Sequence, residues 1–361
     1  MPIISDFWGG WFSFGEIAWN TARRAGSTSK PSTTMAARII LRRISKMVNL
    51  TTVVVGCYGP DDWRMFKKAS AFATAAWTHA LQLQSLTLNV PLDVLGHVLS
   101  SMPDFRTLQE FKITLRFMGL IPSHHDLLGK TARFINRHSP TLTSLSVDVI
   151  NSTINSSPLF QALDTLPLLR SMTLGYPIDR MGPTIPTGIG YFLKKHTREL
   201  KELRLQLHGS VIRHQAPSPS VIFQHHIFQQ SFPCLTLLDL GLCQWEHGSR
   251  RSVRGYLTRY VSGFKGSLTT LIIRDFVFGF SDLRAVVEAI GGQQSILRRF
   301  QLHTHYLSCG LLDLLSRSLP NLYHLDLLFD SIVRNDNTAS WYPNAHRLSC
   351  RPASTSSPIY D

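Results

Sequence analysis

Apolar residues recur along this chain in the spacing L-x-x-L-x-L, with Val, Ile, Met or Phe standing in for some of the leucines. The segment Leu235 to Cys243, LTLLDLGLC, is the fullest instance, with Leu235, Leu238 and Leu240 at the apolar positions. The same phase runs through Leu50/Val53/Val55, Leu83/Leu86/Leu88, Leu108/Phe111/Ile113, Leu142/Leu145/Val147, Leu169/Met172/Leu174 and Leu200/Leu203/Leu205. It continues at Leu268/Leu271/Ile273, Leu297/Phe300/Leu302 and Leu322/Leu325/Leu327, giving ten units whose starts lie 25 to 35 residues apart. The last two apolar positions of each unit are two residues apart, so they share one face of an extended strand.

Between these strands the apolar spacing changes to three and four residues, as in Leu92 to Met102, Ser281 to Ile290 and Leu311 to Leu319, which predicts one amphipathic helix per interval. Ser281 is the expected N-cap of the second of these, and Gly291 its expected left-handed C-terminal residue. Pro140, Pro167, Pro233 and Pro320 each stand two residues before a unit's first leucine. There a missing N–H and a disfavoured preceding α conformation end the helix.

A single strand-turn-helix unit cannot bury its own leucines, whereas stacked units pair their strands in parallel and share a core. The expected fold is therefore α/β: a leucine-rich-repeat solenoid of about ten irregular repeats over residues 48–330, with a curved parallel sheet on the concave side and helices on the convex side. Loss of a strand leucine from a middle repeat is expected to cost several kcal/mol.

Residues 1–47 fall outside the repeat. Their aromatic cluster, Phe7, Trp8, Trp11, Phe12, Phe14 and Trp19, reads as an N-terminal cap over the first repeat, with residues 35–47 as a basic helix. Residues 331–361, rich in Ser, Pro and Asn, read as a mobile tail.

Composition narrows the function classes. No apolar run reaches the roughly 18 residues of a membrane span, and Asp6 and Glu16 do not suit a targeting segment. Five cysteines without a CxxC spacing fit reduced thiols, so the expected compartment is cytoplasmic or nuclear. The formal charge of +14 is spread, with seven Lys/Arg against two acids in residues 1–47 and 27 against 19 in residues 48–330.

Nucleophile-elbow, P-loop and zincin patterns are missing, so neither enzymatic activity nor a small-molecule substrate nor a cofactor is expected. Gly56-Cys57-Tyr58-Gly59 reads as a turn rather than a phosphate loop. His303 and His305, two apart on an extended segment, could aim both imidazoles to one side, but no third ligand is visible and no metal is expected. The pairs His124-His125 and His225-His226 read the same way.

The residues between the strand leucines point to the other face of each strand, the concave one. There Lys112, Arg204, Arg274 and Arg299 stand against Glu110, Asp148, Glu202, Asp239 and Asp326, a near balance that disfavours nucleic acid and acidic membrane as partners. A mixed polar and apolar face suits a protein or peptide ligand, with arginines as anchors. The candidate contact residues are Arg204, Leu237, Asp239, Ile272, Arg274, Arg299, Gln301, His303, His324, Asp326 and Leu328, on a chain expected to be monomeric.

Irregular repeats with P-x-L-x-x-L-x-L openings and a Cys at the turn, as in Pro233 to Cys243, resemble the repeat region of F-box leucine-rich-repeat proteins. The resemblance covers roughly residues 48–330. It implies a non-catalytic scaffold that recognises substrates for a cullin-type ubiquitin ligase, with the ligase adaptor as a further partner. The F-box itself, a helical module opening with a Leu-Pro pair, is not legible in residues 1–47. The alternatives are a stand-alone leucine-rich-repeat interaction protein of another pathway, or a basic protein that binds RNA or a membrane surface.

Overall fold

A computed structural model describes residues 50–56, 77, 82–116, 125–151, 154–179, 182–183, 186–209, 222–242, 250–333 and 346–350. The aromatic cluster, the basic helix and most of the Gly56–Gly59 turn lie outside them. The chain divides into two compact units, residues 1–175 with 186–199 and residues 176–185 with 200–361.

In the first unit, strands β1 (Thr52–Gly56), β2 (Ser85–Pro91), β3 (Glu110–Arg116), β4 (Ser144–Val149) and the first half of β5 (Ser171–Asp179) pair in parallel and in sequence order. Helices α1 (Leu92–Ser101), α2 (His125–Arg137), α3 (Ser157–Gln161) and α4 (Gly188–Lys195) alternate with them. The register lines up the sequence pattern: Val53, Leu86, Phe111, Leu145 and Met172 form one row, and Val55, Leu88, Ile113, Val147 and Leu174 the next. From β2 onward these side chains are buried. They meet a helical stripe that includes Leu95, Val98, Leu128 and Ile135.

The second unit repeats the arrangement with β7 (Glu202–Gly209), β8 (Leu237–Gly241), β9 (Thr270–Phe278), β10 (Arg299–Ser308) and β11 (His324–Val333), again parallel and in order. Its helices are α5 (Arg250–Ser262), α6 (Phe280–Ile290) and α7 (Cys309–Ser318). The end of β5 turns back through the two-residue β6 (Gly182–Pro183). No helix among the described residues is long and apolar enough to cross a membrane.

The same hydrogen-bond step ties successive strands together. In eight of the repeats, the carbonyl of the residue after the first leucine accepts two consecutive backbone N–H groups from the start of the following strand. Thr51 O takes Gln84 N and Ser85 N at 2.8 and 2.9 Å, and Gln84 O takes Gln109 N and Glu110 N at 2.8 Å. Gln109, Thr143, Lys201, Thr236, Thr269 and Arg298 do likewise.

Three local readings are adjusted. The N-cap of α6 is Gly279 and not Ser281. Gly291 is extended, and the left-handed residue is Gly292, at φ 113°. A Cβ on Gly291 would stand 2.5 Å from Val287 O and 2.8 Å from Ser318 O, so that position needs glycine for close approach rather than for its φ. Beyond residue 330, the stretch read as a mobile tail carries paired backbone in two places: β11 runs on to Val333, and β12 (His346–Cys350) lies antiparallel along Leu325–Phe329. The outer edge of β11 would otherwise leave a row of N–H and C=O groups unpaired, and β12 satisfies part of it.

Two buried histidines perform one structural task in the first unit. His138 Nδ1–H donates to Phe134 O at 2.8 Å, one turn back, and Nε2 accepts the N–H of Phe105 at 3.1 Å. His196 repeats this with Phe192 O at 2.8 Å and the N–H of Leu166 at 2.9 Å. Each ring thus needs its proton on Nδ1 and none on Nε2. Burial pushes both imidazoles below their ordinary value, against the raising effect of the carbonyl bond.

Because the folded rings resist protonation, the unfolded chain takes up more protons below the ordinary imidazole value of 6.5. Their contribution is therefore full above that pH and declines as acid is added. Denaturant unfolding of the wild type should show stability falling from about pH 7 to pH 5. His138→Phe should lose about 1 to 3 kcal/mol at neutral pH by orphaning the Phe105 N–H. A His138→Phe/His196→Phe double variant with the wild-type pH slope would refute the assignment.

Candidate functional site

All eleven candidate residues belong to the second unit, on the sheet face opposite its leucine rows. Their register forms rows that cross the strands. Leu237, Arg299 and His324 share a row with Glu202 and Thr270. Arg204, Asp239, Ile272, Gln301 and Asp326 make up the next row. Arg274 stands beside Gly241, and His303 beside Leu328.

The strands do not expose this face evenly. Arg274, Arg299 and Leu328 are exposed, and Arg204, Leu237, Gln301, His303 and His324 are half-buried. Asp239, Ile272 and Asp326 retain only 1%, 7% and 4% of their surface. These three form part of the floor of the face rather than its accessible rim.

A carboxylate at the depth of Asp239 needs compensation. Burial drives its pKa up, while the Arg274 guanidinium, bonded to Oδ2, and the charge of Arg204 pull it back without cancelling the rise. Arg204 in turn donates to Glu202 Oε2 at 3.1 Å. The Arg299 guanidinium forms no hydrogen bond or ion pair among the described residues, which leaves it as an open cation on the rim.

The position of Arg274 depends on an irregularity in β9. Gln301 pairs with Ile272, but His303 pairs with Val277, so β9 carries surplus residues at this point. Asp275 takes them up in the left-handed region at φ 61°. That conformation strains most L-residues, and aspartate tolerates it better than most. Leu242 N–H donates to Arg274 O at 2.9 Å and anchors the bulge to the end of β8.

His303 and His305 do point to one side, as their spacing suggested. The group that receives them is Asp330, on β11. His303 Nε2 lies 2.9 Å from Oδ1, and His305 Nδ1 lies 3.0 Å from Oδ2. Partial burial alone would raise the Asp330 pKa, but the hydrogen bonds and charges of the two imidazoles outweigh it and hold the carboxyl below its ordinary value. Among the described residues no group of three His, Cys, Asp or Glu is placed to hold a metal ion. His225 caps a 3-10 turn by accepting from Ile227 N at 3.2 Å, and His125 opens α2.

Sequence reasoning missed Asp330, Asp275 and the depth of Asp239. Asp330 stands two residues beyond Leu328 on the same strand face, so extending that alternation by one step would have found it. No family model matches the chain, and no curated protein matches it in sequence.

The Asp239–Arg274 pair has a testable signature. Arg274→Ala leaves a buried carboxylate without its bonded cation and should cost about 1 to 3 kcal/mol, below the range for a fully buried pair because Arg274 keeps 45% of its side-chain surface. Asp239→Asn in that background should recover part of the loss. Strictly additive losses in urea unfolding would show that the two side chains are not coupled.

Proposed function

We infer that the chain is a non-catalytic protein-binding scaffold of the leucine-rich-repeat kind, whose second unit presents the binding face. The observation that supports this reading is the row Arg204–Asp239–Ile272–Gln301–Asp326, set in register on five parallel strands and bordered by the open cation Arg299 and the exposed Leu328. Desolvated charged pairs beside apolar side chains, with an unpaired arginine at the rim, are the ingredients of protein–protein hot spots. The strand-and-helix repetition in each unit agrees with the leucine-rich-repeat reading, and the resemblance to F-box leucine-rich-repeat proteins points to substrate recognition for a cullin-type ubiquitin ligase. A stand-alone scaffold of another pathway is the second reading.

Affinity purification of the tagged full chain, beside a version lacking residues 1–47, separates the two. Recovery of a cullin and its adaptor, lost on truncation, is the outcome expected of ligase recruitment. Their absence, with another stable partner retained by both versions, would leave the stand-alone scaffold. Arg299→Glu should weaken capture of the partner about tenfold or more without lowering the melting temperature, because the Arg299 side chain is exposed and its guanidinium makes no ion pair among the described residues. Unchanged capture would remove this face from the interface.

A further inference from the structure

The outward side chains of β10 and β11 form a ladder of level pairs: Arg299 with His324, Gln301 with Asp326, His303 with Leu328, and Leu307 with Ile332. Asp330 falls between the last two, level with His305, because its neighbours Phe329 and Ser331 pair with Thr304 and Tyr306. Two charged groups of this ladder are open to solvent, and they stand near opposite ends. Arg299 is exposed, and the Asp330 side chain keeps 45% of its surface. Six residues separate their rows, a span of about 20 Å at the rise of a β-strand.

Asp330 is fixed in orientation as well as accessible. Its carboxylate can only accept, so His303 Nε2 and His305 Nδ1 each carry the proton that they donate, at 2.9 and 3.0 Å, one to each oxygen. Burial would raise its pKa, but the two imidazoles more than offset that and keep the group ionised at neutral pH. Each oxygen has room for one further donor, and the two together match parallel N–H groups of a guanidinium. Leu328 and Ile332, two residues before and after Asp330 on the same face, are exposed, and Leu307 is half-buried beside Ile332. The aliphatic stem of an arginine can lie on this shelf while its head reaches the carboxylate, whereas a small hydrated cation gains nothing from it.

We propose that Asp330 anchors an arginine of the protein partner, and that Arg299 engages an acidic residue of the same partner about 20 Å away, so that the two poles set the direction in which it lies along β10 and β11. His303 and His305 are positioning residues that hold the carboxylate towards the partner. The inference rests on the protein-binding reading above and specifies the charge pattern of what binds.

The test selects a peptide from a library of random 20-residue sequences displayed on phage, using the immobilised full chain. The peptide is then synthesised and its affinity measured with each charged residue replaced in turn by alanine. Loss of one arginine should weaken binding to the wild type about tenfold, and should cost less than about twofold in Asp330→Asn, which is itself about tenfold weaker for the parent peptide. Loss of one acidic residue should be coupled in the same way to Arg299→Glu. His303→Gln supplies an amide N–H in place of Nε2–H and should keep the affinity, whereas His303→Ala should weaken it about threefold or more. Circular dichroism confirms that the variants are folded. A peptide whose affinity falls with Arg299→Glu but is unchanged by Asp330→Asn, or in which no arginine is coupled to Asp330, refutes the anchor while the scaffold reading stands. A chain that selects no peptide, or whose peptides ignore both substitutions, overturns the binding face and the anchor together.

Discussion

A single carbonyl that accepts two consecutive N–H groups from the next strand is the interaction on which each unit's register depends. Thr51, Gln84, Gln109 and Thr143 supply it in the first unit, and Lys201, Thr236, Thr269 and Arg298 in the second. Side chains alternate along a strand, so a slip of one residue would turn every leucine outward and every polar side chain into the core. The step fixes each strand start against the preceding repeat before the ladder proper begins. The five-strand row through Asp239 exists because that origin is set repeat by repeat. Loops of different length can then connect the strands without disturbing the face.

The histidines of the first unit address the same problem on the helical side. Where the chain leaves a helix and approaches the next strand, backbone N–H groups must be satisfied away from water. His138 and His196 each satisfy one donor of the preceding repeat while remaining bound to their own helix. Both occur in the spacing F-x-x-x-H-x-x-x-L, at Phe134/His138/Leu142 and Phe192/His196/Leu200. In the second unit the same spacing reads Tyr260/Phe264/Leu268, where Phe264 is buried and packs edge-on against Tyr260, with ring centroids 5.0 Å apart. One position thus holds either a hydrogen-bonding or a purely apolar ring. The imidazole makes the first unit sensitive to acid in a way that Phe264 does not.

These details mark what the sequence could disclose. The leucine phase was legible because strand periodicity and burial act on the same residues, and Leu86, Phe111, Leu145 and Met172 fall into one row as the spacing requires. The helices were legible to within a residue or two for the same reason. The F-x-x-x-H pattern was also present, but a histidine gives no sign in isolation that a neighbouring repeat will offer it an N–H. Asp330 was hidden because its association with His303 and His305 depends on the register between β10 and β11. The surplus in β9 was hidden because nothing in R-D-F announces that Asp275 will adopt a positive φ. Gly291 and Gly292 exchanged roles because close approach to Ser318 depends on the next repeat.

The burial of Asp239 determines how the face can be used. A carboxylate whose pKa is raised by desolvation and only partly restored by Arg274 contributes little to stability, since hydrophobic residues of similar volume often serve as well. Its cost is understandable if the charge organises its surroundings, because it orients Arg274 on one side and leaves an acceptor towards Arg204 on the other. The same reasoning distinguishes it from Asp330, which is more exposed and already takes hydrogen bonds from two imidazoles. Asp330 fixes the position of its histidines, whereas Asp239 retains an unpaired oxygen. The two carboxylates thus differ in satisfaction rather than in charge, one held on β8 with an unpaired oxygen and the other on β11 between two imidazoles.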